Sequence, residues 1–181
     1  MGVGENGSAE DADVLVEYLY ADRPRLVKNA LKALSTLRVV KIGKVYLADV
    51  YWKHLNASDT SVAKAAYQAI CKSDISYGAD RLYQALAGCT DDNTRKYLVR
   101  LLVKEPSWER LPYLLLLYEP GSWTAEALQI RRAVCFRSVY ARITRKWADF
   151  IMETMEQRKD KIPDGLRKEI IFDLEHITMI P

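Results

Sequence analysis

Four stretches of this chain lie over one another: Lys28-Asn-Ala-Leu-Lys-Ala-Leu34, Lys64-Ala-Ala-Tyr-Gln-Ala-Ile70, Lys96-Tyr-Leu-Val-Arg-Leu-Leu102 and Leu128-Gln-Ile-Arg-Arg-Ala-Val134. They step by 36, 32 and 32 residues. Ala30, Ala66, Leu98 and Ile130 form one column. Ala33, Ala69, Leu101 and Ala133 form a second, and Leu34, Ile70, Leu102 and Val134 a third. The columns sit at i, i+3 and i+4, the spacing of one buried helical stripe. A helical unit that recurs every thirty-odd residues predicts an all-α fold of stacked helical pairs, an α-solenoid.

Each unit reads as two helices and a short turn. The first helices carry the i, i+4 apolar pairs Leu15/Leu19, Tyr51/Leu55, Leu82/Leu86 and Tyr113/Leu117. The turns hold helix starters: Asp22-Arg-Pro, Asp59-Thr-Ser, Asp91-Asp-Asn and Ser122-Trp-Thr. Pro24 suits a first helical turn, where its missing N–H costs nothing. The predicted helices are 11–20 and 23–38, 44–56 and 59–73, 78–88 and 92–104, then 108–118 and 123–147. Ala133, Phe136, Tyr140, Ile143 and Trp147 step 3, 4, 3, 4, so the last of these is expected to run on towards Arg158. Ile162-Pro-Asp164 breaks the pattern. A final helix follows from about Asp164, with Leu166, Ile170, Leu174 and Ile177 inward and Arg167, Lys168, Asp173 and Glu175 outward, as a capping helix requires.

Composition agrees with a folded chain: 181 residues, 49% hydrophobic and 28% charged, are enough for one sizeable core. Eight Gly and six Pro are too few for an all-β fold with a turn every few residues. Residues 1–10 form a Gly-rich polar lead, and 11–181 read as a single helical repeat domain. The lead has no basic start and no apolar run, so it does not read as a secretory signal. No apolar run is long enough to span a bilayer. Met1-Gly2 hints at myristoylation, but Asn6 stands where that motif wants Ser or Thr. Cys71, Cys89 and Cys135 are odd in number and widely spaced, as in a reduced, cytoplasmic protein.

The second helices resemble the HEAT-repeat pattern, in which a turn Asp is followed by a Val-Arg-like pair, then small residues and Ala-Leu. Here that reads Asp22…Val27-Lys28…Ala33-Leu34, Asp59…Ala63-Lys64…Ala69-Ile70 and Asp92…Arg95-Lys96…Leu101-Leu102. Arg95 departs from the pattern at the apolar position, and the fourth unit, ending Ala133-Val134, lacks both the turn Asp and the basic residue. The resemblance covers about residues 11–147. It implies a right-handed α-α superhelix of about four hairpins plus a capping helix, and a role as a binding scaffold. Some HEAT-like proteins are DNA glycosylases, with an acidic residue and aromatics on a concave basic face. No residue-by-residue match to their motif is found.

Motifs for chemistry are few. Gly2-Val-Gly-Glu-Asn-Gly7 has the dinucleotide-loop spacing but no strand before it. His54 and His176 are far apart, and no Cys/His spacing implies a metal, so no cofactor is expected. Carboxylates cluster at helix starts, where they cap rather than catalyse.

The functional signal is a ladder of charge. Lys28, Lys64 and Lys96 share one column, and Lys32, Gln68, Arg100 and Arg132 share another four positions on. Residues 23–72 hold ten Lys or Arg against Asp49 and Asp59 only. The resemblance places these second-helix residues along the concave groove. Residues 131–146 hold six basic residues and no acid, and on a helical wheel Arg131, Arg132, Arg142, Arg145 and Lys146 fall together as a second basic face. The competing reading is that the column Lys bridges to a turn carboxylate in the neighbouring repeat, and that the rest is solvated surface. Eleven Tyr favour a partner interface. These features point to a non-enzymatic scaffold that binds another protein through an acidic segment. Nucleic acid is the alternative ligand of the same groove.

Overall fold

The stripe residues of the first three repeats are withdrawn from solvent, and Ile130, Ala133 and Val134 of the fourth lie outside the described residues. Ala30, Leu34, Ala66, Ala69, Ile70, Leu98, Leu101 and Leu102 are all withdrawn from solvent, with Ala33 half-buried. The computed structural model describes residues 12–73, 75–105, 108–120 and 142–180. It is mostly helical. In chain order the elements are α1 (Ala12–Tyr18), α2 (Pro24–Leu37), β1 (Lys41–Ile42), β2 (Val45–Tyr46), α3 (Leu47–Leu55), α4 (Thr60–Lys72), α5 (Ala79–Ala87) and α6 (Asp92–Lys104). Then come α7 (Arg110–Leu116), β3 (Arg142–Thr144), α8 (Arg145–Gln157), α9 (Asp164–His176) and β4 (Thr178–Ile180). The residues divide into two compact units, one of Met1–Ser76 with Cys89–Tyr97, the other of Tyr77–Gly88 with Leu98–Pro181.

In the first unit α1 packs on α2, α3 on α4, and α2 on α4. Pro24 opens α2 at its first turn, with Arg23 at the N-cap position and no side-chain cap. The cap predicted from Asp22 is therefore not formed. Asp59 does cap α4: its Oδ1 accepts from the N–H groups of Ser61 (2.8 Å) and Val62 (3.1 Å). Asp91 does the same for α6, accepting from the Thr94 N–H at 2.6 Å. Both satisfy backbone donors that the first helical turn leaves orphaned. Thr94 Oγ1 donates to the Leu55 carbonyl at 3.3 Å, joining the start of α6 to the end of α3.

A β-hairpin interrupts the helices where a helix was predicted to begin at residue 44. Ile42, Val45 and Tyr46 favour extended backbone, and Gly43 takes φ 54° in the turn between the strands. The connection from α2 to α3 thereby spans 38–46, against 73–78 from α4 to α5. This longer link supplies most of the four extra residues in the first repeat step.

In the second unit α7 packs on α5 and α8, and α8 on α9. A buried polar lock holds the end of α6. Arg110 Nη1 donates to the carbonyls of Val103 (3.2 Å) and Glu105, and Glu105 Oε1 accepts from the Tyr77 N–H at 3.2 Å. Arg158 donates to the Tyr118 carbonyl (2.7 Å) and pairs with Glu119 (3.0 Å), which Lys161 also holds at 2.6 Å. The helix predicted over 123–147 is corrected here. Residues 121–141 lie outside the described residues, but Arg142–Thr144 is a strand, paired in parallel with Thr178–Ile180. The β-branched Ile143 and Thr144 suit that pairing, and the helix starts only at Arg145. Ile143 is buried as the seam required, but from a strand. In α9 Leu166, Ile170 and Leu174 are buried, as predicted.

Two outcomes are expected. Tyr51 is fully buried and its hydroxyl finds no well-formed hydrogen bond among the described residues, the nearby Ser73 hydroxyl donating to the Ala69 carbonyl at 2.7 Å. Burial pushes the phenol up to about 12, with Ser73 pulling weakly the other way. Tyr51→Phe removes an unsatisfied polar atom and should raise stability by about 1 kcal/mol in urea denaturation.

The second outcome concerns acid. Five carboxyls are held below their ordinary range: Asp59 by the Ser61 hydroxyl, Asp91 by the Thr94 N–H, Glu119 by Lys161, Glu156 by Lys159 and Asp164 by Arg167. The native state thus binds fewer protons than the unfolded chain around their titration. Their contribution is complete above the ordinary carboxylate range and lost as pH falls through the native values. The urea midpoint should begin to fall below about pH 6.5, where burial and Lys53 keep His54 from taking up a proton that the unfolded chain binds, and drop further below about pH 4. The drop should be shallower in Asp59→Ala and Asp91→Ala.

Candidate functional site

Asp59 and Asp91 of the first unit are spent on helix starts, and its second helices keep exposed cations. Lys32 on α2, Lys64 and Gln68 on α4 and Lys96 on α6 all face solvent. None of the ion pairs among the described residues involves these lysines. Lys28 is half-buried and lies close enough to the Asp59 carboxylate to help hold it ionised. No ion pair joins Lys28 to Asp59 among the described residues, so the bridge from a column lysine to the next repeat's turn carboxylate is not formed at salt-bridge distance.

These helices are brought side by side within the unit. α2 packs on α4, and Lys28, near the start of α2, acts weakly on the Asp59 charge that caps α4. Tyr67 on α4 stacks on Tyr97 on α6, ring centroids 4.8 Å apart and planes 17° from parallel. Both rings are half-buried and lie next to the column lysines. Arg100, exposed, belongs to the second unit, and Arg132 lies outside the described residues.

The second basic face does not form as drawn. Arg131 lies outside the described residues. Arg142 is on β3, while Arg145 and Lys146 are in the first turn of α8. A helical wheel does not apply across the boundary between a strand and a helix, so these exposed cations do not share one helix face. Trp147 packs with Tyr113 (centroids 6.4 Å apart) and Phe150 (5.9 Å), beside the Tyr83–Tyr113 contact at 4.9 Å. Tyr113 donates from its hydroxyl to Asp80 at 2.9 Å, and burial followed by this bond pushes its phenol up to about 12.

Among the described residues no group of three His, Cys, Asp or Glu could hold a metal ion, and no helix is long and apolar enough to cross a membrane. A cleft of about 280 Å³ is lined by Met152, Met155, Glu156, Asp164, Arg167, Lys168 and Ile171. Its carboxylates are engaged, Glu156 with Lys159 at 2.6 Å and Asp164 with Arg167, and both are held ionised by those cations. Neither carries the raised pKa of a general acid. His54 is half-buried, and burial with the neighbouring Lys53 keeps its pKa low.

Compared with models of known protein families, with curated proteins and with solved structures, the chain matches none.

Sequence reasoning missed the hairpin 41–46 and the Glu105–Arg110 lock. The hairpin had a signal, Ile42-Gly-Lys-Val45 within the longer first step. The lock had none, because a lone Glu and Arg read as surface.

Because Lys32, Lys64 and Lys96 are exposed and make no ion pair among the described residues, reversing all three to Glu should leave the protein folded. Its melting temperature should stay within a few degrees of the parent, as is usual for exposed substitutions. Thermal denaturation followed by circular dichroism checks this.

Proposed function

We propose that this chain is a HEAT-like, right-handed α-solenoid that serves as a non-enzymatic scaffold inside the cell. It binds the acidic segment of another protein along its row of second helices. One observation carries the reading: Lys32, Lys64 and Lys96 recur on three adjacent second helices, exposed and without ion-pair partners. Stacking of like helices supports the solenoid part. The α1–α2 and α3–α4 hairpins join through α2 and α4, and the Tyr67–Tyr97 stack adds α6. Repeats that each expose one face leave a continuous surface for an extended ligand. Carboxylates laid along such a row gain from several lysines at once, and the electrostatic term speeds encounter more than it tightens the complex.

Binding of a labelled Glu-rich peptide, followed by anisotropy at rising salt, tests the proposal. The expected result is salt-sensitive binding that Lys32→Glu, Lys64→Glu, Lys96→Glu weakens by about tenfold or more. A mixed-sequence duplex and a single strand run beside it. Tight, steeply salt-dependent binding of either oligonucleotide, lost in the same variant while the peptide is ignored, would replace the acidic protein segment with a nucleic-acid backbone.

A further inference from the structure

The first repeat differs from its neighbours by an insertion, and the insertion is chemically unlike the helices it joins. Residues 38–48 contain Arg38, Lys41 and Lys44 and no acid. The inner face of the hairpin is spent on the core, with Ile42 buried and Val45 half-buried. The outer face carries Lys41 and its cross-strand partner Tyr46, the ammonium 4.8 Å from the ring centroid. Tyr46 is 52% exposed, and Val40, beside the strand, is 75% exposed. The Leu47 N–H donates to the Val40 carbonyl at 3.0 Å and closes the base of the hairpin. Val40 and Tyr46 are thus each exposed near the base of the hairpin, and the Gly43-Lys44 turn forms the tip.

Arg38 adds an independent mark. It ends α2 with φ 52° and ψ 31°, the left-handed conformation in which a residue with a Cβ is strained and glycine is at ease. A cation is kept where the backbone would be better served by glycine. Backbone strain of this kind is a pointer to function when charge and exposure agree with it. Insertions in repeat proteins fall in loops on one face, which is often the binding face.

We infer that the 38–46 hairpin is a docking element for an acidic protein segment that carries an apolar side chain. Arg38, Lys41 and Lys44 meet its carboxylates, and Val40 and Tyr46 receive the apolar group. This rests on the scaffold reading above and names the partner's chemistry more closely. A bilayer would be met by apolar groups at the tip, where this hairpin has Lys44. A nucleic-acid backbone would use the cations and leave Val40 without a role. An acidic segment with an aliphatic or aromatic anchor uses both, as buried anchors ringed by polar contacts do at protein interfaces.

Two short labelled peptides test the inference at low salt, one of Glu, Ser and Gly, the other with Leu replacing some of the Ser. The protein should hold the Leu-bearing peptide about tenfold more tightly. Val40→Ser with Tyr46→Ser should erase that preference while both proteins keep the same helical spectrum. Lys41→Glu with Lys44→Glu should weaken both peptides. Arg38→Gly should melt at a higher temperature and yet bind less tightly, a pair of effects that a merely structural arginine would not give.

No preference for Leu in the parent protein, or hairpin variants that bind both peptides as the parent does, would overturn the inference. So would binding of an oligonucleotide or of phosphatidylserine vesicles that the hairpin variants abolish while peptide binding stays absent. The Lys32→Glu, Lys64→Glu, Lys96→Glu variant separates the two readings. If it binds the Leu-bearing peptide undiminished and the hairpin variants do not, the hairpin stands and the lysine row falls. The converse result removes the hairpin and keeps the row.

Discussion

Close approach of α2 and α4 is the constraint on which the first unit depends. Ala30 on one helix, and Ala63, Ala65, Ala66 and Ala69 on the other, are nearly or fully withdrawn from solvent. Side chains this small let helix backbones come near each other, so that Leu31, Leu34 and Ile70 complete a dense contact. Neither helix could hide such a stripe by itself, and α1 and α3 cover what remains. In this unit the repeat in the sequence is a repeat of contact surfaces, in which one second helix meets another.

Charge is divided along the same lines. Asp59 and Asp91 are committed to the backbone donors at helix starts, where the helix dipole also favours them. Cations placed farther along those helices then find few carboxylates within reach. The surface that results is basic although the chain's net charge is only +3. The local excess follows from both the ten Lys or Arg against two acids in residues 23–72 and the use of Asp59 at a helix start.

Much of the helical layout was readable because it is local. The helix predicted over 59–73 is found at Thr60–Lys72, and 92–104 is found as drawn, because a cap residue and a 3.6-residue period both mark them. The two strands were not readable in the same way. Ile143 and Trp147 stand four apart, a spacing that suits a helix, and the strand appears only through pairing with Thr178–Ile180, far along the chain. The hairpin at 41–46 was covered by a helix begun too early, at residue 44. Among candidate site residues, Lys32, Lys64 and Lys96 lie exposed on helices as drawn, because their column rested on helices with a clear period. The Arg142–Lys146 face failed because its helix does not extend back that far. Buried Glu105 and Arg110 were invisible, since their partners are backbone groups that no side-chain pattern reports.

The parallel ladder in the second unit bears on the order in which that unit is made. Its register joins Arg142 to Thr178, and α8 and α9 lie between. Helices close their hydrogen bonds within a turn, whereas this ladder must first bring together two ends of a long loop and bear the entropy of doing so. Helix formation and α8–α9 packing shorten that search by holding the strands' neighbours in place. Refolding of this unit should therefore be limited by one non-local step. In native-state hydrogen exchange, the amides of β3 and β4 should open together rather than with the helices beside them.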